Sequence, residues 1–236
     1  MGTTNGQATT PATGGSSCHG AGQGSPGWLS GSRGLVVGVA AAAAAIALAL
    51  IALAVGALSA SCLMLAIFGL PADAVGGDSS GLKILTLGFT LGLVSAGASF
   101  LIGSARPGEP GRKPLILIGG LFFALLSAGG AALVLAHPEA WSEVIFGPQW
   151  VACLTCIPLF AVAPFASLIW ALREGAPTNL MRTGTIAGLV AGALGAAVFA
   201  FHHSGGSIPF IALWYGGSIL LCALVGAMLG PRLLRW

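Results

Sequence analysis

Six apolar blocks, each near the length of a bilayer crossing, restrict what this chain can fold into. They lie at 35–70 and at about 82–104, 114–136, 150–172, 184–202 and 208–229. An α-helix rises about 1.5 Å per residue, so about 20 apolar residues span a hydrocarbon layer. Water is absent there, and a backbone must satisfy its own polar groups, which a helix does within one segment. The blocks are bounded by turn residues or charges: PADAVGGDSSG, RPGEPGRK, HPEAWSEVIFGP, REGAPTNLMR and HHSGGS. Only 6% of the residues are charged, against about 25% in soluble domains, so a soluble fold lacks the polar surface it would need. The reading is an all-α polytopic integral membrane protein with six transmembrane helices, bathed in lipid bilayer.

The first block is longer than one crossing. It carries six consecutive alanines, Ala40 to Ala45, which favour helix but are weakly lipophilic. The span is therefore placed at about 46–68, with the alanines as a helical lead-in. A secretory signal fits poorly, because the block is long, only Arg33 precedes it and further spans follow. SASC at 59–62 also lacks the leucine of a lipobox. Residues 1–32 contain no Asp, Glu, Lys or Arg and are rich in Gly, Thr and Ser. Too little apolar surface is present to offset ordering entropy, so 1–33 reads as a disordered cytoplasmic tail before a six-helix domain at 34–236. Cys18 and His19 fall in that tail, and two adjacent ligands do not make a metal site.

Charge placement orients the helices. If the six alternate, Arg33, Arg106, Arg112, Lys113, Arg173, Arg182, Arg232 and Arg235 share one side, leaving only Lys83 of the nine basic residues on the other. Cytoplasmic loops carry the excess of Lys and Arg, so both termini are expected in the cytoplasm of a bacterium, with the protein multi-pass in its inner membrane. Trp170 and Trp236 then lie at the inner interface, and Trp141, Trp150, Trp214 and Tyr215 are expected to form an outer aromatic belt. The net charge of +3 reflects topology and implies no nucleic-acid partner.

Two stripes of small residues at four-residue spacing, Gly88–Gly92–Ala96 and Gly184–Gly188–Gly192, are expected to let helices approach closely. Pro158 and Pro164 should bend the fourth helix. No internal repeat of the kind found in transporters stands out.

Catalysis requires a nucleophile with a base, or a metal with an acid–base group. No ionisable residue lies mid-span, which also removes the buried carboxylate or histidine of a pump. The chain reads as no enzyme, with no cofactor. The polar residues of the outer side are Asp73, Asp78, Lys83, His137, Glu139, Glu143, His202 and His203. Near them lies WVACLTCIP, where Cys153 and Cys156 are about one helical turn apart. Such a pair can be redox-active in an oxidising compartment, can bind a soft metal together with a histidine such as His202 or His203, or can simply pack well. No second outer cysteine pair is present to relay electrons. The metal, if any, is left unnamed by these residues.

The second half carries further motifs: Trp150 to Leu154, Ile157 to Leu159, Leu172 to Pro177, the Gly-rich run Gly188 to Gly195, the pair Trp214-Tyr215 and the terminal Leu234 to Trp236. In order and spacing these resemble the NrsF family, the negative regulators of sigma F. FGLPADA, Lys83 and ARPG at 105–108 extend the likeness more loosely, so it covers about 65–236, most closely from 146 onward. The resemblance implies a six-span bacterial inner-membrane anti-sigma factor. Such a protein holds an extracytoplasmic-function sigma factor at the membrane and releases it on an envelope signal such as heavy-metal or oxidative stress. It also implies sensing through outer-facing cysteines, with Cys153 on the first of them.

This chain departs from the family pattern twice. The family's second cysteine follows a histidine after the fifth helix, and His203 stands there instead. The inter-loop disulfide implied by the family is therefore ruled out, leaving Cys156 or a histidine-assisted metal site as substitutes. The family's short charged N-terminal segment is replaced by the uncharged tail. Sigma binding would then pass to the inner loops around Arg106, Arg112 and Lys113, and around Arg173 and Arg182. The alternative is a membrane sensor or small-solute membrane protein that keeps the scaffold without a sigma partner.

Overall fold

The structure, a computed structural model, describes residues 27–69, 80–104, 112–147, 149–173, 179–202 and 206–234. The chain divides into two units, 1–39 and 40–236. Among the described residues the regular secondary structure is all helix, and six helices are long and apolar enough to cross a membrane. They are α1 (Gly27–Phe68), α2 (Ser80–Ser104), α3 (Arg112–Leu135), α5 (Trp150–Arg173), α6 (Leu180–His202) and a sixth run over Ile208–Leu233. The sixth is composite: a first turn α7 (Ile208–Phe210), a π-helical segment (Ile211–Tyr215) and α8 (Gly216–Leu233). Between α3 and α5 lie a 3₁₀ turn (Pro138–Ala140) and the short helix α4 (Trp141–Phe146), which the apolar pattern did not reveal.

The expected spans fall on these helices. At the first, the boundary drawn at residue 33 lies inside α1, which already begins at Gly27. Alanine propagates helix at little cost in entropy, so the helix runs on well beyond the apolar segment.

Helix α6 is the centre of the second unit and packs on α2, α5 and α8. In its most apolar stretch 72% of residues are buried in the protein, against 17% in α3. Its length suits this place because small residues admit neighbouring backbones. A methyl group on Gly188 would collide with the carbonyl oxygen of Cys222, and one on Gly226 with the carbonyl oxygen of Gly184. One on Gly230 would come within 2.7 Å of the Leu180 oxygen. Gly184, Gly188 and Gly192 thus interlock with Cys222, Gly226 and Gly230 of α8. Gly195 meets α5 in the same way, 2.7 Å from the Ile157 oxygen once a methyl is added. The second expected stripe behaves differently. Gly92 faces Leu121 and Ala96 is buried, but Gly88 opens onto empty space. Spacing defines a helix face; it does not supply a neighbour to cover it.

Helix α5 continues through Pro158 and Pro164, each of which removes one backbone donor. The second proline is buried against α1, where a methyl on Gly56 would lie 2.7 Å from the Pro164 Cα. Next to it the Ser167 hydroxyl reaches the Ala52 carbonyl of α1 at 3.0 Å. In α2 the buried hydroxyls bond within their own helix, Thr86 to the Leu82 carbonyl and Thr90 to that of Thr86. Outside this core the helices present large apolar side chains, among them Ile84, Ile116, Phe123, Val134 and Met228, each at least 70% exposed.

Candidate sensor site and basic face

The helix contacts define two ends of the second unit. Phe89 and Phe122 meet edge-on at 5.4 Å, and Gly92 faces Leu121, so α2 and α3 run antiparallel. Gly129, near the end of α3, faces Ala212 and Pro209 at the start of the sixth run. The starts of α3 and α6 and the ends of α5 and α8 therefore share one end. The starts of α2 and α5, α4 and α7 share the other.

The second end holds the cysteines. Cys153 and Cys156 are free thiols in the first two turns of α5. Cys156 is half-buried, whereas Cys153 is only 1% exposed. Its carbonyl accepts a bond from the buried Ser218 hydroxyl of α8 at 3.4 Å. The thiol at the expected helix end is thus turned into the bundle. His203 lies outside the described residues. His202 is the last residue of α6, and its side chain is not described. Among the described residues no three His, Cys, Asp or Glu side chains converge on a metal position.

Three aromatic rings meet at the start of α5, the helix that carries Cys153. Trp150 and Trp214 lie 5.1 Å apart between centroids, and Phe146 stands 6.1 Å from the first and 6.0 Å from the second. Two hydrogen bonds pin α4 to the sixth run. Trp214 Nε1 donates to the Ile145 carbonyl at 2.7 Å, and the Ser207 hydroxyl donates to the Val144 carbonyl at 2.6 Å. Ser207 also caps α7 by accepting from the Phe210 amide at 3.2 Å. Gly147 turns the chain from α4 into α5 at φ 45°, with the Phe210 ring against it, a conformation that suits glycine.

The expected outer belt needs one correction. Trp141 and Trp150 are exposed and Trp214 is half-buried, but Tyr215 is 4% exposed, between Phe199 and Phe210. Adjacent side chains on a helix are about 100° apart, and here that rotation leaves Trp214 at the surface and carries Tyr215 into the core. Ser207, Ser218 and Tyr215 were not among the expected site residues, and only the seryl N-cap position before Pro209 carries a legible signal.

The opposite end gathers the basic side chains. Arg112 and Lys113 begin α3, Arg182 lies in the first turn of α6 and Arg232 in the last turn of α8, all exposed. Arg173 ends α5 and donates through Nε and Nη2 to the Leu233 carbonyl, at 2.8 and 2.7 Å. Arg106 and Arg235 lie outside the described residues. Lys83 is in the first turn of α2, at the cysteine end.

The NrsF family model, "Negative regulator of sigma F", matches residues 35–236. A "Probable anti-sigma-F factor NrsF" from Azospira oryzae is 31% identical over 187 residues, 77% of this chain and 85% of the relative. The "Anti-sigma-F factor NrsF" of Caulobacter vibrioides is 31% identical over 134 residues, 56% of this chain and 62% of that protein. No solved structure matches the chain. The likeness therefore begins at Leu35, earlier than the motifs alone indicated.

Proposed function

The chain belongs to the NrsF family of negative regulators of sigma F, and from that premise we propose that it restrains an extracytoplasmic-function sigma factor at the bacterial inner membrane. It is an anti-sigma regulator with a sigma factor as partner, and not an enzyme. The family match over residues 35–236 carries this reading. Membrane insertion is supported by the six apolar helices and their exposed leucines, isoleucines and phenylalanines. Apolar patches of that extent are avoided in water.

Orientation follows from the basic end. Arg112, Lys113, Arg182 and Arg232 stand at one end and Lys83 at the other, so the basic end faces the cytoplasm and both termini lie there. A sigma factor stays in the cytoplasm and must be met at this end. The cysteine end then faces the envelope side, where Cys153, with Cys156, His202 or His203, receives the signal that releases the partner. Cys153 is also the position that the family likeness assigns to sensing.

Co-purification tests the reading. The full-length protein, expressed with the sigma factor encoded beside its gene, should retain that factor on membranes. It should release the factor after treatment with a soft metal ion or an oxidant. A protein that reaches the membrane but retains no sigma factor would instead be a sensor on the same scaffold without that partner. The uncharged tail at 1–32 favours that second outcome.

A further inference from the structure

We infer that α4 and the Phe146–Trp150–Trp214 rings form a movable cap that controls access to the Cys153 thiol. The inference rests on the sensor reading above and adds a gate to it. Trp150 and Cys153 are three residues apart on α5 and so share a face, with Trp150 nearer the helix start. Trp214 and Phe146 pack on Trp150. The ring cluster thus lies over the outer side of a thiol that is only 1% exposed.

The cap is built to open locally. Helix α4 has six residues and none of them is buried, so apolar burial contributes little to holding it in place. Its last carbonyls lack partners within the helix. Two of them, on Val144 and Ile145, are taken up by Ser207 and Trp214 of the sixth run. Phe146 and Trp150 remain 51% and 37% exposed. Few buried contacts and a small number of side-chain bonds are the marks of a segment that opens without global unfolding. The π-helical turn at Ile211–Tyr215 belongs to the same device. One extra residue in that turn directs Trp214 to α4 while Tyr215 and Ser218 stay inside. Such turns recur at functional sites.

A thiol reacts or ligates only when a reagent can reach it. With the cap closed, apparent reactivity scales with the fraction of molecules that are open. Breaking the two bonds therefore raises the rate at Cys153 and leaves other buried thiols alone.

Thiol labelling in the full-length protein tests this. The background carries Cys18→Ser, Cys62→Ser and Cys156→Ser, leaving Cys153 and Cys222. N-ethylmaleimide labelling of each is followed by mass spectrometry. The pair Ser207→Ala and Trp214→Phe should speed labelling of Cys153 at least tenfold with Cys222 unchanged. Trp214→Phe alone, which keeps the ring and loses one bond, should give a smaller rise in the same direction. An unchanged Cys153 rate overturns the gate. So does a rise at Cys222 in step with Cys153, because the opening would then be global. Labelling requires no sigma factor and no signal, so it can fail while the sensor reading stands, or succeed while that reading fails.

Discussion

Arg173 closes the end of α5 onto the end of α8 with two hydrogen bonds to a single oxygen, that of Leu233. The acceptor is one of the last carbonyls of α8 and has no partner of its own along the helix. A guanidinium placed there also meets the negative end of the helix dipole. Arg173 is one of the basic residues that the sequence offers to a partner, and in the structure its Nε and Nη2 are engaged with its own chain. Because Arg173 is exposed, solvent screens the pair. Arg173→Ala should therefore lower stability by only about 1 kcal/mol. The loss should be local. Hydrogen exchange at the Leu234 amide, now bonded to Gly230 at 2.9 Å, should quicken while that in α6 stays slow. Unchanged exchange would show that the bonds hold nothing in place.

The interlocked glycines make a sharper claim. A methyl on Gly188 would strike the backbone of α8 at Cys222, which cannot rotate aside as a side chain can. Gly188→Ala should destabilise by about 2 kcal/mol or more, since overpacking costs of 1–3 kcal/mol assume that neighbours can yield. Gly88→Ala, facing open space, should be neutral or slightly stabilising through its helix propensity. Melting of both variants in the same detergent decides the matter. Equal midpoints would mean that α6 and α8 are not in the contact described.

These two glycines also mark what a sequence can carry. Both lie in four-residue stripes, and the stripe at 184–192 finds a partner while Gly88 does not. Local spacing encodes which residues share a face. The neighbour that covers the face is set by tertiary packing. The six spans were legible because their signal is local: composition over a helix length. The partner stripe Cys222–Gly226–Gly230 has the same spacing and was there to be read. The cap was not, because α4 is too short to show periodicity and its bonds join residues 63 and 69 apart in sequence. Burial of Cys153 was hidden for the same reason: its position at a helix start says nothing of what α8 and the rings place over it.

Topology has its own test. Reporter fusions after Gly108 and after Trp236 should both report cytoplasm, and fusions after Asp78 and after Glu139 the opposite side. The expectation rests on eight of nine basic residues sharing a side and on the positive-inside bias. A reversed pair would remove a span and place the cysteines and the sigma factor on the same side.

For the signal, Cys153→Ser should abolish release of the sigma factor by metal or oxidant while leaving capture intact. A hydroxyl in place of the thiol keeps nearly the same size and removes the soft ligand and nucleophile. Cys156→Ser tests the helper role of the second thiol, and a partial loss is expected. Normal release from Cys153→Ser would make the thiol a packing group, which its burial against α8 also suits.

Capture itself should depend on the basic end and not on the tail. Residues 1–32 carry no charge, and Trp28 and Leu29 are their few apolar anchors. A binding surface needs a buried cluster of anchors with a polar rim, and a tail that folds on binding must also offset its ordering entropy. Arg112, Lys113 and Arg182 are exposed at helix starts, fixed by the bundle, and need no ordering. Deleting residues 1–30 should therefore leave sigma capture within about twofold, a change of under 0.5 kcal/mol. Lys113→Gln with Arg182→Gln should weaken it about tenfold, as rim charges act mainly on association rate and salt dependence. Those two changes leave Arg33, Arg106, Arg112 and Arg173 to hold the orientation, which the Gly108 fusion verifies in the same strain. If the deletion abolishes capture and the two glutamines do not, the tail is the grip, and the basic residues do no more than orient the helices.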